Sequence, residues 1–201
     1  MLYGVAVDGH GWFECDEELD EAQNAFVAAL RTRALRWSED PACSGLLPPE
    51  DGSALVAYLD IDAPKENLLL LTVGVHLESH HLRGDRLHNQ DFSLPDTATS
   101  FAVDVSGFSE YLAEQAADWF EAIIGRSVVR YEWLHADQVY ASRYLFSDTG
   151  EALVQSYNRV LAPPGQHDCL MRAGHVSGRG WVDTRGLGEP DRVVCVRGAA
   201  L

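Results

Sequence analysis

The fold is decided by residues 107–146, which read GFSEYLAEQAADWFEAIIGRSVVRYEWLHADQVYASRYLF. In the first part of this stretch, apolar residues recur every three or four positions, which is the spacing of one face of an α-helix. Ser106 or Ser109 can cap its start, and Gly125 suits the left-handed position that often follows a helix. We therefore predict an amphipathic helix over 107–124. Its apolar stripe consists of Phe108, Leu112, Ala116, Trp119 and Ile123, widened by Tyr111 and Phe120.

The second part of the stretch predicts a β-hairpin. Two runs rich in β-branched and aromatic residues, 128–134 and 138–146, flank Ala136 and Asp137. Such runs on either side of a short turn are typical of paired antiparallel strands. Farther along the chain we predict a turn at 148–150 and a short helix over 151–160.

A second amphipathic helix is predicted nearer the N-terminus, beginning at Glu17 and ending before Pro41. Asp16, Glu17 and Glu18 would then lie in its first turn, where the helix dipole favours negative charge. Its apolar face comprises Leu19, Ala22, Phe26, Ala29, Leu30 and Trp37.

The other segments predict strands and loops. Strands are predicted at 1–7, 53–61, 67–78, 97–105, 169–176 and 192–196, a hairpin connection at 62–67, and loops at 41–52 and 79–95. Strands in pairs, interrupted by two helices, lack the strict strand–helix alternation of a parallel α/β sheet. We therefore predict an α+β fold, an antiparallel or mixed sheet with two main amphipathic helices packed on it. At this length we expect a single globular domain over residues 1–201.

The composition is that of a globular protein with a large excess of negative charge. Apolar residues make up 46% of the chain and charged residues 23%, and the net charge is −16. Residues 1–66 hold 14 acidic and four basic residues and residues 67–125 hold nine and two, whereas residues 126–201 hold eight and nine. No apolar run approaches the roughly 18 residues of a membrane span. The apolar residues 1–7 lack the basic residues of a secretory signal, so we expect a soluble, cytoplasmic protein with no membrane partner.

The four cysteines give no evidence of a metal site. Cys15, Cys43, Cys169 and Cys195 are far apart, and no Cys-x-x-Cys pair occurs. This excludes a zinc site of the paired-cysteine kind and predicts reduced, mostly buried thiols. A disulfide between any two of them stays open at this point.

Histidines form one candidate site. His76, His80, His81 and His88 lie close together in sequence, with Glu78, Asp85 and Asp91 interleaved. Histidine and carboxylate side chains bind zinc, manganese or iron when they converge. The spacing matches no metal signature, and an exposed polar loop after a strand explains the pattern as well. We favour the loop and predict no bound metal.

A second candidate site is a polar face of the predicted hairpin. Arg130 and Glu132 alternate on the first strand, and Arg143 lies on the second. Arginines with aromatics can line a pocket for an anionic or planar ligand. The alternative, which we favour, is a solvated sheet face with cross-strand ion pairs. The aromatic residues expected on the opposite face are Tyr131, Trp133, Tyr140 and Tyr144.

The glycine-rich segment 174–188 is a third candidate. It contains no Gly-Lys-Ser/Thr and no strand-Gly-x-Gly-x-x-Gly-helix order, which excludes a P-loop and a dinucleotide fold. We predict turns between short strands there, with Trp181 in the core. Gly-x-Ser-x-Gly is also absent from the chain, so no nucleophile motif is present.

Two classes of function follow from these patterns. The first is a small acidic interaction protein, of the immunity, antitoxin, chaperone or regulatory-subunit type, that binds a basic protein partner. The second is a small enzyme or ligand-binding protein with a pocket of histidine, arginine and aromatic residues on the sheet face. We favour the first, and expect no cofactor. We also expect no nucleic-acid partner, because the negative charge repels phosphate.

Overall fold

A computed structural model describes residues 11–37, 43–49, 54–63, 65–88, 91–178 and 180–198. The chain divides into two compact units, which are described separately. The first unit contains Met1–Ile61 and Leu71–Ile124, and the second contains Asp62–Leu70 and Gly125–Leu201. The single domain expected for residues 1–201 stays a prediction. The strand predicted at 1–7 lies outside the described residues. No described helix is long and apolar enough to cross a membrane.

Most residues of a five-stranded sheet belong to the first unit, and only the end of β2 and the start of β3 belong to the second. The strands of this sheet follow one another in sequence order, β1-β2-β3-β4-β5, and the pairs β1–β2, β3–β4 and β4–β5 are antiparallel. The hairpin connection predicted at 62–67 is confirmed, because it joins the neighbouring strands β2 and β3, and β2 contains most of the strand predicted at 53–61. The strands are β1 Ser44–Leu47, β2 Leu55–Ala63, β3 Leu68–Glu78, β4 His81–Arg86 and β5 Val103–Ser106.

The predicted loop over 79–95 is wrong, because β4 lies inside it. This strand has a single large apolar residue, Leu82, so its sequence carries no alternating signal. Its backbone pairs with β3 on one side and β5 on the other, and these neighbours satisfy its hydrogen bonds. The strand predicted over 97–105 is shorter than expected, since only Val103–Ser106 is extended.

Helix α1, Glu21–Ala34, begins later than predicted. Asp20 is its N-cap: its carboxylate accepts from the Gln23 backbone N–H at 2.8 Å, and the Gln23 side chain accepts from the Asp20 N–H at 3.0 Å. This capping box sets the start of the helix, so the acidic residues at 16–18 precede it. The helix ends at Ala34, before the expected stop. Its buried residues are Phe26, Val27, Leu30 and Ala34.

Helix α2, Ser109–Ile124, confirms the helix predicted over 107–124. The predicted stripe is buried except at three positions, one of which is Tyr111, 38% exposed. Phe108 precedes the helix and is 64% exposed, and Trp119 is half-buried. The Trp119 indole N–H donates to the Phe101 carbonyl oxygen at 2.7 Å, which satisfies its polar edge. The buried residues are Ser109, Leu112, Ala113, Ala116, Ala117, Phe120 and Ile123.

The second unit is built on a four-stranded antiparallel sheet. Its strand order is β11-β6-β7-β8. The turn between β6 and β7 has positive φ angles of 48° at Ala136 and 62° at Asp137, as a two-residue hairpin loop requires. The predicted hairpin and the strand near 192–196 are therefore confirmed. The elements are β6 Val128–His135, β7 Gln138–Phe146, β8 Ala152–Tyr157, α3 Gln166–Arg172, β9 Val176–Ser177, β10 Trp181–Val182 and β11 Arg192–Arg197, with a 3-10 helix at Thr184–Leu187.

Two local predictions in this unit are wrong. Residues 152–157 form the edge strand β8 instead of a helix, because pairing with β7 supplies hydrogen bonds that local propensity does not reveal. Residues 166–172 form a short helix instead of the predicted strand near 169–176. The turns predicted in segment 174–188 are confirmed, and they separate the short strands β9 and β10.

Candidate functional site

A one-residue β-bulge in the β6–β7 hairpin decides which side chains share a face of the second-unit sheet. The register shifts between Trp133 and Leu134. Regular pairing from the turn onward would place Arg143 opposite Arg130, but the shift places Tyr144 there instead. Side chains alternate between the two faces of a strand. One inserted residue in β7 therefore moves the β7 side chains beyond it to the opposite face from the one that regular pairing with β6 predicts.

The expected distribution of residues over the two faces is therefore wrong for Arg143 and Tyr144. Tyr144 shares a face with Arg130 and Glu132, and Arg143 lies on the opposite face with Tyr131. The bulge thus separates the arginines that the sequence suggested would act together.

Glu132 is the centre of an ionic network on the first of these faces. Its side chain is only 2% exposed, and its two carboxylate oxygens form ion pairs with Arg130 and Arg192. Arg130 also pairs with Glu66, and the Tyr144 hydroxyl donates to the same Glu66 carboxylate. These five side chains lie in the second unit, so the hairpin connection at 62–67 supplies one member of the network.

This network satisfies its own charges. Burial raises the pKa of Tyr144, and its hydrogen bond to Glu66 raises that pKa further, so the hydroxyl keeps its proton and remains a donor. Burial lowers the pKa of Arg130, but the hydrogen bond to Tyr144 and the nearby carboxylates raise it overall. The ion pairs agree with the cross-strand pairing favoured from the sequence, but the face is not solvated as expected, because Glu132 is buried. The guanidinium groups of Arg130 and Arg192 are already occupied by carboxylates.

The aromatic residues Trp133 and Tyr140 belong to a small core. Trp133 is 4% exposed, and its indole N–H donates to the Gly188 carbonyl oxygen at 3.3 Å. Tyr140 is buried, and burial raises the pKa of its hydroxyl. Neither side chain is available to a ligand. The core consists of Trp133, Tyr140, Ala141 and Ala162, with Tyr131, Tyr157, Leu161 and Leu187 packed against it.

Arg143 lines a surface groove on its own face of the sheet. The groove has a volume of about 490 Å³ and lies along the edge strand β8 and the segment that follows β10. Three of its residues, Trp181, Asp183 and Arg185, come from the glycine-rich segment, where the sequence predicted only turns. Trp181 is 58% exposed and so is not in the core as predicted. The lining residues are Arg143, Ala152, Leu153, Val154, Gln155, Trp181, Asp183 and Arg185.

The histidines are not brought together as one site. His76 on β3 hydrogen-bonds through Nε2 to the Phe92 carbonyl oxygen at 2.9 Å, and His81 on β4 pairs with Asp104 at 2.7 Å. His80 lies in the turn between these strands, and His88 follows β4. Within the described parts of the chain, no three histidine, cysteine or acidic side chains converge as metal ligands do. The absence of bound metal stays a prediction.

The acid sensitivity of the first unit is expected to depend on His76. Burial lowers its pKa most strongly and Arg83 lowers it further, whereas the hydrogen bond to Phe92 and the charge of Glu78 act in the opposite direction. The unfolded chain then binds a proton more readily than the folded one, so the free energy of unfolding falls as pH drops through the ordinary histidine pKa. Urea unfolding at about pH 7.5 and about pH 5.5 measures this loss.

The His76→Gln variant should lose less stability between these two pH values than the wild type. His80→Gln is the matched control, because His80 is exposed. Equal pH dependence in His76→Gln and the wild type would contradict the assignment.

The first unit carries an acidic groove of about 590 Å³ beside the start of α1. Glu18, Asp20 and Glu78 supply carboxylates, and Leu77 and Pro49 supply apolar surface. Of the described residues that line it, none is an arginine or lysine, although Arg83 pairs with Glu78 at 2.8 Å.

The four cysteines are free thiols, which agrees with the predicted reduced state and not with the disulfide that the sequence left open. They are not mostly buried as expected: Cys169 is exposed, and the other three are partly exposed. None of them lines the groove at Arg143.

Comparison with known proteins identifies no relative from which the roles of these residues could be inferred. No family model matches the chain, and neither a curated protein nor a solved structure shows significant similarity to it.

Proposed function

We propose that this chain is a small acidic interaction protein whose first unit binds a basic protein partner, as an immunity protein, antitoxin, chaperone or regulatory subunit does. The observation that carries the proposal is the division of charge between the units. The first unit holds 21 acidic and five basic residues, a net charge of −16, whereas the second holds ten of each. The entire excess of negative charge therefore belongs to the first unit.

The acidic segment, residues 16–21, exposes part of this charge to solvent. Five of its six residues are acidic, and all five side chains are exposed. None of the five forms an ion pair with a described residue, and Asp20 alone is engaged, in capping α1. By contrast, Asp118 and Glu121 on α2 pair with Arg33 at 2.6 Å and 3.3 Å. The acidic segment therefore has charge available for a partner.

The acidic groove adjoins this segment, so part of the negative charge lies in a concave surface. Glu18 and Asp20 belong to both, and Leu77 and Pro49 add apolar surface. An arginine or lysine of a partner can place its charged end among the carboxylates and its aliphatic stem on the apolar surface. Such complementarity steers encounter and fixes orientation more than it adds raw affinity.

The test begins with the partner. Chemical crosslinking of the wild-type protein in its native extract identifies candidates, and each is then purified and its binding measured directly. We expect a basic protein whose crosslinks map to the first unit. We also expect association about ten-fold slower for the Asp16→Asn/Glu17→Gln/Glu18→Gln variant than for the wild type, because electrostatic steering is lost.

The control variant changes the same charge elsewhere. Glu110, Glu114 and Glu189 are exposed, so Glu110→Gln/Glu114→Gln/Glu189→Gln matches the change without touching the acidic segment. It should associate at close to the wild-type rate. Equal slowing by both variants, or crosslinks confined to the second unit, would contradict the proposal. So would micromolar binding of duplex or single-stranded oligonucleotides that weakens steeply with salt.

A further inference from the structure

We propose that the groove at Arg143 in the second unit binds a small planar oxyanion, meaning a molecule that joins a flat ring to a carboxylate or phosphate group. The proposal does not depend on the basic partner of the first unit. It follows from one arginine that has no polar partner in the described part of the chain, from the residues around it, and from the rigidity of the groove wall.

Arg143 is the described arginine of this unit whose guanidinium has no polar partner among the described residues. Its Nε is buried without a hydrogen-bond partner, and its guanidinium forms no ion pair with a described residue. The unit's other described arginines all have an interaction partner. Arg172 donates to the Asp168 carbonyl oxygen, and Arg197 also has a partner. Those that pair with carboxylates are Arg126, Arg130, Arg159, Arg185 and Arg192. Holding a half-buried guanidinium without a partner costs free energy, which an anionic ligand would recover.

The groove has the size and polarity of a small-molecule site. Its volume of about 490 Å³ falls within the range of roughly 300–1,000 Å³ typical of ligand pockets. Arg143 and Arg185 contribute two positive charges against the single carboxylate of Asp183. A net positive groove in a chain of net charge −16 selects for an anion.

Trp181 adds the planar element. Its indole is 58% exposed at the groove, so a large flat apolar surface faces solvent there. Aromatic rings gain from stacking on such a surface, and guanidinium groups bind carboxylate or phosphate with two parallel hydrogen bonds. An anion with a ring attached satisfies both Trp181 and Arg143.

The wall of the groove is held in place before any ligand arrives. The Gln155 side chain on β8 donates to the Val182 carbonyl oxygen at 3.1 Å and accepts from the Thr184 hydroxyl at 2.7 Å. Asp183 accepts from the Arg185 backbone N–H at 3.0 Å and pairs with its guanidinium at 2.6 Å. This ion pair also lowers the pKa of Asp183, so the carboxylate stays charged and Arg185 stays oriented. Preorganisation of this kind reduces the entropy lost on binding.

The experiment uses defined probes and the full chain. Indole-3-acetate and adenosine 5′-monophosphate carry the carboxylate and the phosphate, and indole-3-acetamide and adenosine are their uncharged counterparts. Inorganic phosphate tests the anion without a ring. Calorimetric titration should show saturable binding of at least one ringed oxyanion, and about ten-fold weaker binding of its uncharged counterpart. Which of the two binds more tightly distinguishes carboxylate from phosphate.

Variants locate the site. Arg143→Gln should weaken binding of the ringed oxyanion about ten-fold, and Arg143→Lys should weaken it less, because lysine keeps the charge without the planar fork. Trp181→Ala should bring the affinity down to that of inorganic phosphate. Arg172→Gln, an exposed arginine on α3 outside the groove, should bind like the wild type.

A stability readout separates a binding role from a structural one. Since no described residue gives the Arg143 guanidinium an ion pair, and its Nε is buried without a hydrogen-bond partner, Arg143→Gln should melt at or above the wild-type temperature. A clearly lowered melting temperature would assign Arg143 to structure and overturn the proposal. So would equal binding by Arg143→Gln and wild type, or no saturable binding of either ringed oxyanion up to about 10 mM.

Discussion

Replacing Phe120 by alanine is expected to lower the free energy of unfolding by about 3–5 kcal/mol, as for other fully buried aromatic side chains. Phe120 is 0% exposed and lies on the buried face of α2. Its ring lies 5.7 Å from Phe13, 6.1 Å from Trp37 and 5.0 Å from Trp119, measured between centroids. Removing it leaves a cavity among large aromatic groups that cannot easily collapse.

Urea unfolding monitored by circular dichroism measures this loss. Phe108→Ala is the matched control, since Phe108 lies just before the same helix and is 64% exposed. Its effect should stay within about 0.5 kcal/mol, as for most surface substitutions. Similar losses for Phe108→Ala and Phe120→Ala would show that the buried face of α2 is wrongly assigned.

Replacing Glu132 by glutamine is expected to destabilise the second unit by about 3 kcal/mol, the lower end of the range for breaking a buried ion pair. The substitution keeps the shape and removes the charge that Arg130 and Arg192 share. The loss is at the lower end because Arg130 keeps Glu66 as a partner and Arg192 is 54% exposed, so water can solvate it.

The same unfolding experiment tests this prediction with Glu189→Gln as the control. Glu189 is exposed and lies in the same unit, so its loss of charge should be nearly neutral. Arg192→Gln should cost less than Glu132→Gln, because Arg130 still compensates the buried carboxylate. A wild-type unfolding curve for Glu132→Gln would mean that the network does not stabilise the sheet.

Local patterns predicted the elements whose signal lies within a few residues. The stripe of α2 recurs at helical spacing, and two runs rich in β-branched and aromatic residues flank the short β6–β7 turn. The buried alternation of β2 is equally local. In each case the neighbours in sequence are also the neighbours that determine the conformation.

Elements that depend on partners distant in sequence were predicted wrongly. Strand β4 has little apolar periodicity and is extended because β3 and β5 lie on both sides of it. Strand β8 is paired to β7, although its sequence suggested a helix. Hydrogen bonds to other strands outweigh local propensity at such positions, and a single sequence does not reveal them.

The sequence by itself determined the α+β class, the two main helices, the central hairpin and the excess of acidic residues. Only the tertiary structure decided that all of that excess lies in one unit and that Arg143 and Arg130 lie on opposite faces. The physical reason is the bulge between Trp133 and Leu134, which inserts one residue into a pattern of period two. That shift places Tyr144 in the Glu132 network and Arg143 in the groove that Trp181 also lines.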